Sequence, residues 1–182
     1  MIRTFVAIFP PHDVREALFR AAQNLPTSKD FRLVGQEKIH LTLKFLGDVA
    51  QEDLDTIKKA LQPISEGQDP FEVTTSGFGA FPSEKKARIL WTGIEQGSER
   101  LRTVAEAVEN LLAPAGFKRE TRPYVPHLTL GRTRARRTML DTSETSPPTL
   151  HFKVRGIDLV ESSPGKNGVT YSILATYPFP SR

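Results

Sequence analysis

The chain has 182 residues, of which 25 are Lys or Arg and 21 are Asp or Glu, and it contains no cysteine. The lack of cysteine excludes a disulfide scaffold, a thiol nucleophile and a thiolate metal site. This length predicts one domain, or two closely packed lobes. The net charge of +4 equals the charge of four neighbouring arginines, Arg132, Arg134, Arg136 and Arg137. A basic coat over the whole surface is therefore excluded.

The amino terminus carries no recognisable targeting signal. The apolar run in MIRTFVAIFP is too short for the core of a signal peptide, and a charged segment with helical spacing follows it directly. No stretch approaches the ~20 apolar residues that span a bilayer. We therefore expect a protein of the cytoplasm that does not enter a membrane.

The predicted elements are strands and helices in irregular alternation. In chain order they are a strand at 2–9, a helix at 13–23, a strand at 39–46, a helix at 52–61, strands at 71–77 and 87–94, a helix at 98–112, and strands at 124–130, 150–161 and 169–176. The polar turn at 82–86 predicts an antiparallel hairpin. Few helical crossovers connect the strands, so the order favours an α+β fold with antiparallel pairing over a parallel doubly wound sheet.

One tetrapeptide occurs twice, once in each half of the chain. His40-Leu41-Thr42-Leu43 recurs as His127-Leu128-Thr129-Leu130, and each copy lies in a predicted strand. Because side chains alternate along a strand, the histidine and threonine share one face and the two leucines share the other. Each copy thus anchors itself through leucines and presents an imidazole beside a hydroxyl.

Two such strands around one cleft form a set of groups suited to breaking a phosphodiester. One imidazole removes a proton from the nucleophile, the other donates a proton to the leaving oxygen, and the hydroxyls bind the non-bridging oxygens. Both protonation states of an imidazole are accessible near neutral pH. A single His-x-Thr is more often a structural strand histidine, but the duplication favours catalysis. The histidine and cysteine spacings of zinc sites are missing, so we expect no metal and no cofactor.

Charged side chains near the two copies are candidates for holding the phosphate. Strict alternation puts Arg132 on the leucine face, but a bulge at Gly131 would turn its guanidinium back towards His127. Lys44 is predicted to share the face of His40, as a charge at the rim. The other arginines, Arg134, Arg136 and Arg137, are typical of a solvated loop that guides an RNA end. The remaining histidines, His12 and His151, are predicted to lie on the surface.

At this point the chain resembles the two-histidine phosphoesterase superfamily, and within it the RNA 2′,3′-cyclic phosphodiesterases, also called the 2′-5′ RNA ligase family. The resemblance extends over nearly the whole chain. It rests on the segments RTFVAI at 3–8, HLTLKFLGDV at 40–49, GAFP at 79–82, RILW at 88–91 and PHLTLGR at 126–132. The chain departs from the family pattern in two places, near Leu33, where Trp is frequent, and at Gly131, where Ala is frequent.

The resemblance implies a bilobal α+β fold with pseudo-twofold symmetry, in which two antiparallel sheets flank a central cleft and helices lie outside. It implies a single two-lobed phosphodiesterase domain over residues 1–182, acting as a monomer. The implied activity is hydrolysis of a 2′,3′-cyclic phosphate on RNA or a nucleotide to a 2′-phosphomonoester. His40 resembles the proton donor and His127 the proton acceptor, while Thr42, Thr129 and Arg132 resemble the phosphate contacts.

Two other functions remain open at this stage. One is a 2′-5′ RNA ligase that joins tRNA halves. The other is a non-catalytic module that binds a nucleotide or an RNA 3′ end. Joining of RNA halves, or tight binding without turnover, would distinguish them from the hydrolase.

Overall fold

The computed structural model describes residues 1–26, 30–133, 138–142, 145–165 and 168–180. Its strands are β1 Ile2–Ile8, β2 Arg32–Leu33, β3 Leu41–Val49, β4 Phe71–Phe81, β5 Ile89–Ile94, β6 His127–Arg132, β7 His151–Val154, β8 Gly156–Gly165 and β9 Gly168–Pro178. Its α-helices are α1 His12–Gln23, α2 Leu54–Leu61, α3 Ile64–Gly67 and α4 Ser98–Leu112. Short 3₁₀ turns occupy Gln36–Lys38, Gln51–Asp53 and Glu84–Lys86.

The strands form one hydrogen-bonded order, β7-β4-β5-β6-β3-β1-β8-β9, with β2 added alongside β6. All pairings between these strands are antiparallel. The predicted α+β class with antiparallel pairing is therefore confirmed. This continuous order consists of two groups of four strands, β7-β4-β5-β6 and β3-β1-β8-β9, which are joined through one residue pair, Leu41 with Leu128.

The core lies against one face of these strands, because the alternating leucines of the repeated tetrapeptide point there. Leu41, Leu43, Leu128 and Leu130 are all buried. They belong to one cluster with the apolar stripes of the helices, including Leu18, Ile57, Leu101 and Val108. A second, small cluster of Phe5, Ala7 and Val160, with Phe9 and Tyr171 packed beside it, lies apart from that core. The face of β1, β8 and β9 that lies opposite the main core is thus partly apolar.

The predicted strand 150–161 is wrong in one respect, since it consists of two strands separated at Arg155. β7 pairs with β4 in one group, and β8 pairs with β1 and β9 in the other. At the start of β8 a Cβ on Gly156 would lie 2.5 Å from the carbonyl oxygen of Tyr177, so glycine permits this close approach. The predicted strand also ends too early, at 161, because β8 continues to Gly165.

Two short elements, β2 and α3, were not predicted. The helix predicted at 98–112 has the same bounds in the structure. Within the described ranges, no helix has both the length and the apolar character needed to cross a bilayer.

Candidate active site

The two repeated histidines are held in the same way. Nδ1 of His40 lies 2.7 Å from the carbonyl oxygen of Lys38, and Nδ1 of His127 lies 2.7 Å from the carbonyl oxygen of Val125. A carbonyl oxygen only accepts, so each Nδ1 carries a hydrogen and donates it. In both rings Nε2 is therefore left to exchange a proton.

The two copies of the tetrapeptide meet at their equivalent residues, because Leu41 of β3 is paired with Leu128 of β6. Each copy also contains a bulge at its last leucine. Against β1, Thr42 and Lys44 face consecutive residues, which leaves Leu43 without a partner. Against β5, Thr129 and Gly131 face consecutive residues, which leaves Leu130 without one. The two copies therefore share both their sequence and the position of the bulge.

The bulge in β6 returns Arg132 to the histidine side. Leu128, Leu130 and Gly131 are buried, whereas Arg132 is exposed, as expected once an extra residue breaks the alternation. Burial is the main cause of the lowered pKa of His40 and of His127, and the positive charge of Arg132 lowers both further, so the guanidinium lies within electrostatic range of both rings. The predicted turn of Arg132 towards the histidines agrees with this geometry, with Leu130 rather than Gly131 as the extra residue.

The bulge in β3 has the opposite consequence for Lys44, and the prediction of a rim charge is wrong. Lys44 is buried, and its Nζ lies 2.6 Å from Oε2 of Glu109 on α4 and donates to the carbonyl oxygen of Lys118 at 2.8 Å. The next residue, Phe45, takes the place equivalent to Arg132 and is 71% exposed. Phe45 lies beside Phe5, with 6.1 Å between the ring centroids.

Aromatic rings surround each imidazole. The centroid of His40 lies 4.9 Å from that of Phe5, 5.3 Å from that of Phe9 and 5.4 Å from that of Tyr171. The centroid of His127 lies 5.0 Å from that of Phe81 and 6.3 Å from that of Trp91. Burial among these rings lowers the pKa of His40 to about 4 and is also the main cause of the lowered pKa of His127.

The hydroxyls of Thr42 and Thr129 remain available. Both side chains are half-buried, and neither hydroxyl has a hydrogen bond to any other described residue. Together with Nε2 of each histidine and the guanidinium of Arg132, they form a set of groups that accept or donate hydrogen bonds on one face of the strands.

Arg32 was not predicted as a site residue, because it lies between the helix predicted at 13–23 and the strand predicted at 39–46. Arg32 forms the short strand β2 with Leu33 and is the register partner of Arg132. Leu33, near the first departure from the family pattern, and Gly131, at the second, are also register partners. A Cβ on residue 131 would lie 3.2 Å from Cδ2 of Leu33, so the side chains at these two positions constrain each other.

The other predicted surface residues are exposed or lie outside the described part of the chain. His12 begins α1 and is exposed. His151 is exposed on β7, where its Nδ1 lies 3.0 Å from the hydroxyl of Thr74. The loop arginines Arg134, Arg136 and Arg137 lie outside the described residues. In the described ranges, no three His, Asp or Glu side chains come together in a group that could bind a metal ion.

Comparison with known proteins identifies the family. The sequence model of the 2′-5′ RNA ligase superfamily matches residues 9–166. The chain belongs to the 2′-5′ RNA ligase superfamily. It is 28% identical to the RNA 2′,3′-cyclic phosphodiesterase of Aquifex aeolicus, with 97% of both chains covered. It is 32% identical to the protein of the same name from Methanothermobacter thermautotrophicus, over 75% of this chain and 73% of the relative.

A protein of known structure has the same fold. The crystal structure of E. coli LigT complexed with 3′-AMP superposes with a TM-score of 0.84 at 26% identity, covering 99% of both chains. The fold over nearly the full chain is therefore that of the superfamily.

Proposed function

We propose that this protein hydrolyses the 2′,3′-cyclic phosphate of RNA or of a nucleotide, and leaves a 2′-phosphomonoester. The observation that carries the proposal is the pairing of the duplicated tetrapeptide at Leu41 and Leu128, with two equivalent imidazoles whose Nε2 atoms have no hydrogen-bond partner among the described residues. The names of the relatives, RNA 2′,3′-cyclic phosphodiesterase, support the same activity.

The proposed reaction divides the proton transfers between the two rings. Nε2 of neutral His127 takes a proton from water as the water oxygen bonds to phosphorus. The bond between phosphorus and the 3′ oxygen breaks, and Nε2–H of protonated His40 donates its proton to that oxygen. The 2′ oxygen keeps the phosphate. The next cycle needs the proton on His127 to leave to solvent and His40 to be protonated again.

The phosphate contacts and the low pKa of His40 fit together in this scheme. Thr42, Thr129 and Arg132 bind the non-bridging oxygens, where negative charge develops. In the free protein His40 is neutral at pH 7, because burial lowers its pKa to about 4. An anionic phosphate beside the ring favours the charged imidazole and offsets the repulsion from Arg132. Substrate binding would therefore load His40 with the proton that it donates.

We further propose that this chemistry needs no metal ion and that residues 1–182 act as one two-lobed domain and as a monomer in the cytoplasm. The two imidazoles, the hydroxyls and the guanidinium supply the acid, the base and the charge stabilisation. The presence of 3′-AMP in a related LigT crystal supports a nucleotide as substrate or product of this fold.

The test is product analysis on a short RNA that ends in a 2′,3′-cyclic phosphate, with His40→Asn, His127→Asn and the matched control His151→Asn. The wild type and the control should give a 2′-phosphate, and each site variant should lose at least about 100-fold in kcat. EDTA should leave the rate unchanged. A 3′-phosphate product would reverse the roles of the two histidines, and full activity in either site variant would reject the two-histidine mechanism.

Ligation of RNA ends is a second candidate, and the name of the superfamily favours it. The same incubation with an RNA half bearing a 5′-hydroxyl distinguishes the two activities. A joined product with a 2′-5′ linkage, formed in preference to the 2′-phosphate, would make ligation the main reaction.

A further inference from the structure

Two arginines face each other beside the imidazoles, and only one of them has a role in the proposed reaction. Arg32 of β2 and Arg132 of β6 are directly paired across antiparallel strands. Side chains of such a pair lie on the same face of the sheet, with their Cβ atoms about 5 Å apart. Arg32 thus shares the face on which Arg132 approaches the two histidines.

The neighbouring pair confirms which face this is. Leu33 and Gly131 are the adjacent partners, and a Cβ on Gly131 would lie 3.2 Å from both Cδ2 of Leu33 and Cβ of Phe31, a buried residue. That side of β2 packs into the core. Arg32 points the other way and is exposed, like Arg132.

The hairpin of β8 and β9 lies beside the guanidinium of Arg32. Its Nη2 lies 3.8 Å from the position that a Cβ on Gly168 would occupy. Tyr171, three residues further along β9, contacts the ring of His40, and its pKa responds to the charge of Arg132. Arg32 therefore stands between Arg132 and this hairpin, at the edge of the space in front of His40.

Two like charges at directly opposed positions repel each other and destabilise the strand pair. Within the described residues, neither Arg32 nor Arg132 has an ion-pair partner. The repulsion between the two guanidiniums is relieved when each of them binds an anion. Arg is the side chain best suited to binding phosphate. A nucleic acid strand supplies such anions in series, one for each nucleotide.

We infer that Arg32 binds the phosphate of the internucleotide linkage next to the cyclic end, while Arg132 binds the cyclic phosphate itself. The inference rests on the proposed function and adds to it a subsite for a polynucleotide. It makes Arg32 a specificity-determining residue, which favours an RNA end over a free cyclic nucleotide. The terminal nucleoside would then lie between the two guanidiniums.

The test compares two substrates that differ by one phosphate. Cytidine 2′,3′-cyclic phosphate has only the reacting phosphate, whereas the dinucleotide with a cyclic end adds one linkage. The Arg32→Ala variant should lower kcat/KM for the dinucleotide about 10-fold, the loss of one charge-assisted contact, and leave the mononucleotide within about twofold. The Arg132→Ala variant should lower both. Arg20→Ala, a removal of the same charge from an exposed ion pair within α1, should lower neither.

A chemical control removes the charge from the substrate instead. With the wild type, replacing the linkage by an uncharged methylphosphonate should lower kcat/KM by the same factor. With this uncharged substrate, Arg32→Ala should lower kcat/KM no further. Equal losses on both substrates, or no loss on either, would overturn the inference. If the wild type turns over neither substrate, the proposed function fails. Equilibrium binding of the charged and the methylphosphonate dinucleotides to the wild type and to Arg32→Ala then tests the subsite by itself.

Discussion

Leu41 and Leu128 are each other's strand partners, both are fully buried, and each directly follows one of the two repeated histidines. This pair is the register contact between β3 and β6, so it connects the two groups of four strands. The relative position of the two imidazoles therefore depends on the packing of two leucine side chains in the core.

Truncation of this pair should affect stability and activity together. Leu128→Ala should reduce the free energy of unfolding by about 2–5 kcal/mol, because it removes a fully buried side chain. It should also lower kcat in the protein that remains folded, since the two rings lose their fixed spacing. Urea unfolding and steady-state kinetics on one preparation measure both. Leu61→Ala, a buried leucine of α2, is the control and should lose stability with kcat unchanged.

The threonine hydroxyls should contribute to the rate and little to the fold. Thr42→Val and Thr129→Val each remove a hydroxyl that has no partner among the described residues, so we expect stability to change by less than about 0.5 kcal/mol. Loss of a donor to the developing charge should lower kcat by about 10²-fold in each variant. Thr103→Val, on the exposed side of α4, should match the wild type in kcat. Wild-type rates in both site variants would remove the threonines from the mechanism.

Anion binding should be coupled to proton uptake. Sulfate carries a fixed charge, and its binding beside His40 should raise the pKa of the imidazole from about 4 towards its ordinary value. At pH 6 the complex should therefore take up as much as about three-quarters of a proton more than the complex of the His40→Asn variant does. Calorimetric titration with sulfate in buffers of different ionisation enthalpy measures the number of protons taken up on binding. An equal uptake in both proteins would contradict the proposed loading of His40.

Burial of His40 also predicts a pH dependence of stability. The pKa of His40 is about 4 in the folded chain, whereas an unperturbed histidine, as in the unfolded chain, has a pKa of 6.5, so folding favours the neutral ring. The resulting stability is present in full above pH 6.5 and is lost as the pH falls from 6.5 to 4, by about 3 kcal/mol in total. Between pH 7 and pH 4 the free energy of unfolding of His40→Asn should fall by about 3 kcal/mol less than that of the wild type. Parallel curves for the two proteins would mean that the ring is well solvated when folded.

The buried ion pair between Lys44 and Glu109 should behave differently from a surface pair. Lys44→Met leaves the carboxylate of Glu109 buried without its cation and should cost about 3–5 kcal/mol of unfolding free energy. The double variant with Glu109→Leu should recover most of this loss. Arg20→Ala, which breaks an exposed pair with Glu16, should cost less than about 1 kcal/mol. Equal losses in the single and double variants would show that the lysine contributes packing alone.

The sequence by itself determined the features that depend on local periodicity. Alternation within His40-Leu41-Thr42-Leu43 and its repeat was sufficient to separate the core leucines from the polar face, and the apolar stripe of 98–112 was sufficient to place α4. The duplication pointed to two equivalent imidazoles. These inferences hold because each depends only on the residues within one strand or one helix.

The tertiary structure decided the features that depend on pairing between strands that are distant in the sequence. A bulge is a mismatch between two partners, so the sequence of β3 alone could not predict that Lys44 turns into the core and Phe45 turns out. The same holds for the break between β7 and β8, whose partners lie in different groups of strands. Arg32 lies in a two-residue strand with no periodicity of its own. It reaches the face of the histidines only because β2 adds to β6 beside Arg132.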